Sequence, residues 1–248
     1  MTSPDSPGGE QVEGRRAVLE LLRAGRRKVR TLYVSNAVAD DAGIAEIVEL
    51  GPKDLRLVSP DRLAKIAKCD TNQGVVALTS ALRGADLGAL FDDEKAFVVA
   101  VDGVTDPRNL GAILRSAETA GATGVVVPRH RAAHVSATVA KAAAGAIEYL
   151  PIALAGGIPN ALDRARKAGC WTVGLDERGE THLSELDLAD QRIVLVLGAE
   201  GRGLARLTRE RCDMLVRIPM YGHLASLNVA AAATLACHEV AGRRHSSG

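Results

Sequence analysis

Three short stretches gather polar residues in an otherwise apolar region of the chain, and each follows a run with the character of a buried strand. The first reads Asp102-Gly103-Val104-Thr105-Asp106-Pro107-Arg108-Asn109-Leu110-Gly111, with Arg115 four residues further on. The second is Gly198-Ala199-Glu200-Gly201-Arg202-Gly203, and the third is Ser226-Leu227-Asn228, shortly after Ile218-Pro219-Met220. Carboxamides, a hydroxyl, a carboxylate and a guanidinium are the groups that orient a substrate and stabilise charge as it develops. In an open α/β sheet such groups belong in the loops beyond the carboxyl ends of the strands.

The glycine-rich turn invites comparison with a dinucleotide loop, and the comparison fails. That fingerprint is G-x-G-x-x-G early in a βαβ unit, whereas the order here is G-x-x-G-x-G, late in the chain. Glu200 within it would repel a pyrophosphate that needs the helix amides to itself. The glycines instead let backbone approach a ligand that is not a phosphate, with Glu200 accepting hydrogen bonds from nearby Ser, Asn or Arg groups. Structural roles compete for several of these residues. Asn109 can be a helix N-cap with Arg115 on a solvated face, and Ser226 can cap a helix over 227–240. Asn228, read as lying inside that helix's first turn, adds little to helix stability and is harder to explain structurally. Asn109 and Arg115 serve one site only if Arg115 leans back toward the helix start, as helical side chains do.

The elements that must position these groups are legible from periodicity. Residues 1–9 are rich in Ser, Pro and Gly and read as a disordered tail. Residues 10–24 carry apolar positions at helical spacing, closed by Gly25. A strand is expected at 30–35, a helix at 41–50, a strand at 55–58, a helix at 60–68 and a strand at 74–79, making a small α/β domain over 10–81. Residues 82–95 show no core pattern and read as a linker. From residue 96 to 243 strands are expected at 97–101, 124–127, 147–151, 171–175, 193–197 and 214–218. Helices fall between them at 109–120, 135–144, 160–168 and 204–211. Wholly apolar strands alternating with helices indicate a parallel sheet covered on both faces.

Composition narrows the function classes. Among 248 residues, 47% are hydrophobic, so a substantial core is expected. No apolar run approaches the roughly 20 residues of a membrane span, and the opening MTSPDSPGGE lacks a signal-peptide pattern, so a soluble cytoplasmic protein is expected. The four cysteines and six histidines form no metal-ligand spacing, so neither a metal nor a disulfide framework is expected. A net charge of +1 is low for a nonspecific nucleic-acid coat, yet basic residues cluster at Arg15, Arg16, Arg26, Arg27, Lys28 and Arg30, and again at Arg202, Arg206, Arg209 and Arg211. Each cluster alone reads as solvated surface. Aromatics at 2% argue against base-stacking recognition, so any RNA would be held by charge and backbone groups.

Together the three motifs resemble those of the SpoU/TrmH branch of the SPOUT family of RNA 2′-O-ribose methyltransferases. The resemblance rests on N-x-x-x-x-x-R within DGVTDPRNLGAILRS, on VLGAEGRG, and on IPM followed by SLNVA, in that order and spacing. EGRRAVLELL and NQGVVAL make the N-terminal domain similar to the substrate-binding domain of the bacterial 23S rRNA guanosine 2′-O-methyltransferases of this branch, except that Asn72 stands where those relatives usually carry His. The resemblance implies a SPOUT domain with a deep trefoil knot, a ribosomal-protein-like N-terminal domain, and a homodimer with its site near the subunit interface. It implies S-adenosylmethionine as cofactor, held by Leu197, Gly198, Ile218, Met220, Leu227 and Asn228. It implies catalytic roles for Arg115, Asn109, Glu200, Ser226 and Asn228, with Glu200 orienting Arg115 or Asn228. RNA contacts are expected at Arg15, Arg16, Arg26, Arg27 and Arg108. The expected substrate is a guanosine of 23S rRNA. Alternatives are a tRNA or an adenosine of rRNA and, outside enzymes, an RNA-binding ribosome-assembly factor.

Overall fold

The computed structural model describes residues 6–130, 132–188 and 191–246. The N-terminal domain runs β1 (Gln11–Glu13), α1 (Arg15–Ala24), β2 (Val29–Ser35), α2 (Ala42–Glu49), β3 (Leu55–Val58), α3 (Pro60–Ile66) and β4 (Val75–Thr79). Its strands pair in the order β1-β4-β2-β3, with only the β2–β3 pair parallel. The helix expected from residue 10 starts later, because residues 11–13 pair with β4 and Gly14, at φ 91°, turns the chain. Gly14 has no side chain with which to cap α1. The Gln73 side chain accepts the Arg15 N–H instead, at 2.9 Å, and Asn72 Oδ1 accepts the Gly74 N–H, also at 2.9 Å. The NQG sequence is therefore a cap delivered from the turn before β4, which accounts for Gln73 adopting a positive φ of 55°.

Residues 82–95 are not featureless. They hold α4 (Leu87–Asp92), capped by Asp86, with Leu90 and Phe91 buried against the helix that follows the next domain's third strand. The C-terminal domain continues with β5 (Phe97–Val101), α5 (Pro107–Thr119), β6 (Gly124–Pro128), α6 (Ala137–Ala142), β7 (Ile152–Ala155), α7 (Ile158–Lys167), β8 (Trp171–Leu175) and β9 (Thr181–His182). It ends with β10 (Ile193–Leu197), α8 (Arg206–Arg211), β11 (Met214–Arg217) and α9 (Val229–Ser246). The sheet order is β7-β6-β5-β10-β8-β11-β9, with every pair parallel. The strand expected at 147–151 is displaced to Ile152–Ala155, because Gly145 at φ 97° opens a 3₁₀ turn that buries Ile147 and Glu148. No helix among the described residues is long and apolar enough to cross a membrane.

One buried cluster runs from Val12 and Leu21 through Ile147 to Val240, so the two domains share a core. Arg27 lies in this seam and is not available to RNA. Its guanidinium pairs with both oxygens of Glu148, one bond at 2.8 Å, and also donates to the carbonyls of Gly9 and Ser80. The two side chains are 5% and 1% exposed. Residues 6–9 belong to the same seam, which corrects the expectation of a disordered tail for that part; residues 1–5 lie outside the described residues. The Gly9 N–H donates to the Val135 carbonyl at 2.8 Å, and Val135 N–H to Pro7 at 3.0 Å. A Cβ on Gly8 would stand 2.6 Å from the Val135 oxygen, so glycine is required for that approach.

A buried ion pair broken on one side leaves an uncompensated charge. Arg27→Ala is expected to destabilise the fold by about 3–5 kcal/mol, whereas the double variant Arg27→Met/Glu148→Leu should lose much less. Urea unfolding curves for the three proteins check both.

Candidate active site

The central strands β5 and β10 run side by side in register, from Phe97 opposite Ile193 to Val101 opposite Leu197. Their carboxyl ends therefore deliver the loop after Val101 and the glycine turn to the same place. Asp102 ties them together: its N–H donates to the Leu197 carbonyl at 2.7 Å and its Oδ2 accepts the Ala205 N–H at 3.1 Å. The turn closes on itself through reciprocal Ala199–Gly203 hydrogen bonds of 3.0 and 2.9 Å. Gly201 and Gly203 take φ of 74° and 64°. A Cβ on Gly198 would lie 2.2 Å from the Gly203 carbonyl carbon, so the turn tolerates no side chain there.

This closure presents Glu200 to two amides. Asn109 Nδ2 donates to Glu200 Oε2 at 2.9 Å, Asn228 Nδ2 donates to Asn109 Oδ1 at 3.1 Å, and Asn228 Nδ2 reaches Glu200 Oε1 at 3.5 Å. Asn109 is not the N-cap of its helix. Asp106 is, accepting the Arg108 N–H at 2.8 Å with Pro107 at the first helical position, so Asn109 sits inside the first turn with its side chain over the helix start. Nor does Ser226 cap the last helix. Asn228 Oδ1 accepts the N–H groups of Ala230 and Ala231 at 2.9 and 3.4 Å, and α9 starts at Val229. The residue that seemed idle within a helix is the cap, with its amide nitrogen left to face Glu200.

The remaining candidates are placed differently. Arg115 is exposed on α5 and its side chain makes no hydrogen bond or ion pair with a described residue, so within one chain Glu200 meets the two asparagines. Arg108 is likewise exposed. In the N-terminal cluster, Arg15 pairs with Asp41 at 2.8 Å, and exposed Arg16 pairs with Glu20 at 3.2 Å. Arg26 donates to the Tyr149 carbonyl at 3.2 Å and lies over its ring, at the domain seam.

Beside the amide–carboxylate network opens a cavity of about 540 Å³. Leu197, Gly198, Ile218, Met220, Leu227 and Asn228 all line it, together with Glu200 and Ser226. A further part of its wall is the segment Leu175, Asp176, Glu177 and Arg178 after β8. Pattern reading missed this wall although the signal was present, since Trp171–Leu175 is an apolar strand whose carboxyl end turns abruptly polar. Volume, apolar walls and backbone-lined turn suit an organic ligand of nucleoside size. Cys212 lies behind the site against Gly174, and burial, reinforced by Asp213, Asp102 and Asp176, pushes its thiol up to about 12. It is a protonated packing group at neutral pH and not a nucleophile. No cluster of three or more potential metal ligands occurs among the described residues.

Comparison with known proteins agrees with the motifs. The SpoU rRNA Methylase family matches residues 96–238, and the RNA 2′-O ribose methyltransferase substrate-binding family matches residues 11–85. The chain is 34% identical over 247 residues to Bacillus subtilis YacO, named for the TrmH family of tRNA/rRNA methyltransferases, covering 96% of this chain and 98% of that protein. It superposes on the SpoU methyltransferase AviRb from Streptomyces viridochromogenes, solved with AdoMet, with a TM-score of 0.79 and 30% identity, covering 95% and 90% of the two chains. The AdoMet-bound rRNA methyltransferase of Sinorhizobium meliloti gives a TM-score of 0.77 at 29% identity, covering 95% and 87%.

The double duty of Asn228 separates folding from site geometry. Asn228→Ala removes the cap and should cost about 1 kcal/mol. Asn228→Asp keeps the cap but faces Glu200 with a second carboxylate. Thermal melts are expected to place the Asp variant nearer the parent protein than the Ala variant, even though Asp is the change that drives Glu200 away.

Proposed function

The chain belongs to the SpoU rRNA Methylase family, and from that premise we propose that it methylates the ribose 2′-hydroxyl of a guanosine in 23S rRNA. The broader statement stands on the family itself: this is an RNA methyltransferase whose cofactor is S-adenosylmethionine. The 2′-hydroxyl is supported by the N-terminal match to the substrate-binding domain of RNA 2′-O ribose methyltransferases. The observation that carries the reading is the Asn109–Glu200–Asn228 network at the edge of the cavity. An assembly factor without catalysis would have no need to preserve it.

The residues present fit the cofactor. Leu197, Ile218 and Leu227 supply apolar walls, and the glycine turn supplies backbone donors and acceptors. When bound, the cofactor provides an electrophilic methyl group on a sulfonium. Asn109 and Asn228, fixed by Glu200, then orient the ribose, and Ser226 is exposed at the same wall to hold the hydroxyl. Forming the O–C bond requires the hydroxyl to lose its proton. A guanidinium has a pKa above about 12 and does not act as a base in this range. Arg115 instead stabilises the developing alkoxide and holds the adjacent phosphate, and the proton leaves to phosphate or water.

Arg115 stands outside the network of its own chain, which favours a homodimer in which a second copy completes the site. Tyr221 and Leu224, in the segment before α9, are 93% and 80% exposed, apolar side chains that a second copy would cover. The expected trefoil threading belongs to the same reading. It is supported by β10 lying between β5 and β8, with the loops after β5, β10 and β11 converging on one site. The cytoplasm, where rRNA is made and modified in bacteria, is the compartment this reading requires.

The reading is tested by incubating the protein with labelled cofactor and total RNA from a strain lacking the gene, then mapping the methylated position. A 2′-O-methylguanosine in 23S rRNA is expected. Label confined to tRNA sinks the rRNA assignment, and cofactor binding with no transfer to any RNA favours the assembly factor. Arg115→Lys should lower kcat by on the order of 10²-fold with the pH–rate profile unchanged in shape. Loss of an ionisation from that profile would mean that Arg115 is the base after all.

A further inference from the structure

The cavity wall also contains an ion pair that the chemistry above does not use. Asp176 follows β8 directly, lines the cavity, and has a side chain only 3% exposed. Its Oδ2 accepts from Arg209 Nε of α8 at 3.0 Å, and its Oδ1 accepts the Arg178 N–H at 3.0 Å. The other arm of the Arg209 guanidinium, Nη2, donates to the Leu204 carbonyl at 3.1 Å, where the glycine turn ends. The Gly203 Cα comes so close to this pair that a Cβ there would stand 3.7 Å from Asp176 Oδ2. One planar fork thus links two loops that both line the cavity, the Leu175–Arg178 segment and the Gly198–Leu204 turn.

Resting on the reading of the cavity as the S-adenosylmethionine site, we propose that Asp176 and Arg209 are positioning residues that set the separation of these two loops and thereby the affinity for the cofactor. Asp176 is buried and Arg209 partly so, which makes their charge-assisted hydrogen bonds stronger than those of the exposed Arg206–Glu210 pair on the same helix. The hydrogen bonds of the Asp176–Arg209 pair end at Leu204 and Arg178, and none goes to Asn109, Glu200 or Asn228. Its loss therefore falls on cofactor binding and leaves the methyl-transfer step and RNA binding in place. Asn is isosteric with Asp and still accepts one hydrogen bond, so Asp176→Asn removes the charge with little change in shape. Lys at 209 keeps the charge but loses the fork that reaches both partners.

The experiment measures S-adenosylmethionine and S-adenosylhomocysteine binding by calorimetry to the parent protein, Asp176→Asn, Arg209→Lys and the surface control Arg211→Ala, followed by steady-state kinetics on the RNA substrate. Asp176→Asn is expected to raise the Kd for both ligands about tenfold. Its kcat at saturating cofactor and its KM for RNA should stay within about twofold of the parent. Arg209→Lys should shift the same two constants in the same direction, and Arg211→Ala should shift neither. Unchanged cofactor Kd in either pair variant overturns the inference, as does a fall in kcat that matches the fall in affinity. If Asp176→Asn does not fold, Arg209→Lys decides the matter. A parent protein that binds neither ligand defeats the functional reading itself, and the inference with it.

Discussion

The candidate site depends on one carboxylate shared by two amides. Glu200 sits in a turn whose ends are hydrogen-bonded to each other, and its two oxygens face Asn109 and Asn228. A carboxylate only accepts, so each amide must turn its nitrogen toward it. That choice leaves Asn228 Oδ1 to cap α9 and Asn109 Oδ1 to accept from Asn228. The orientation of both side chains and the starting point of the last helix are therefore fixed together. None of this would assemble without parallel β5 and β10 in register, because Asn109 and Glu200, 91 residues apart in sequence, meet where these adjacent strands end at the same height.

A second constraint operates at the domain seam. Burying Arg27 and Glu148 carries a desolvation penalty, which their mutual geometry and the bonds from Arg27 to the Gly9 and Ser80 carbonyls offset. Those two carbonyls flank β1 and β4, so the pair reads the N-terminal domain's edge from the C-terminal domain's surface. Tyr149 adds a hydroxyl donated to Glu20 at 2.8 Å, and the shared apolar cluster continues across the same boundary. A basic residue that composition assigns to RNA thus serves to hold the substrate-binding domain in one place relative to the cavity.

Sequence made the sheet class, the glycine turn and the six cavity residues from Leu197 to Asn228 legible, because apolar strands and glycine order are local signals. What it did not make legible is non-local. The cap of α1 comes from Gln73, 58 residues away, so no window around Gly14 contains it. The displaced strand near residue 147 depended on a positive-φ glycine, and either apolar run there fits a strand by pattern. Arg27 and Arg16 are indistinguishable by type, and only the position of Glu148 separates a buried pair from a solvated one. The Leu175–Arg178 wall differs: the polar turn after its apolar strand is a local signal, and the place of β8 beside β10 in the sheet ties that turn to this site.

The charge of the network bears on what else the reaction needs. Asn109, Glu200 and Asn228 together carry one negative charge, and no described cation makes an ion pair with Glu200. Such a group is compatible with a cationic sulfonium nearby. It opposes, however, the negative charge that grows on a ribose oxygen as its proton departs. A positive group must therefore approach that oxygen from outside the network. Arg115 lies on the same helix as Asn109 but is exposed, its side chain without a partner among the described residues. The same electrostatic demand that makes the turn unfit for pyrophosphate is thus one that the proposed second copy of the chain would meet.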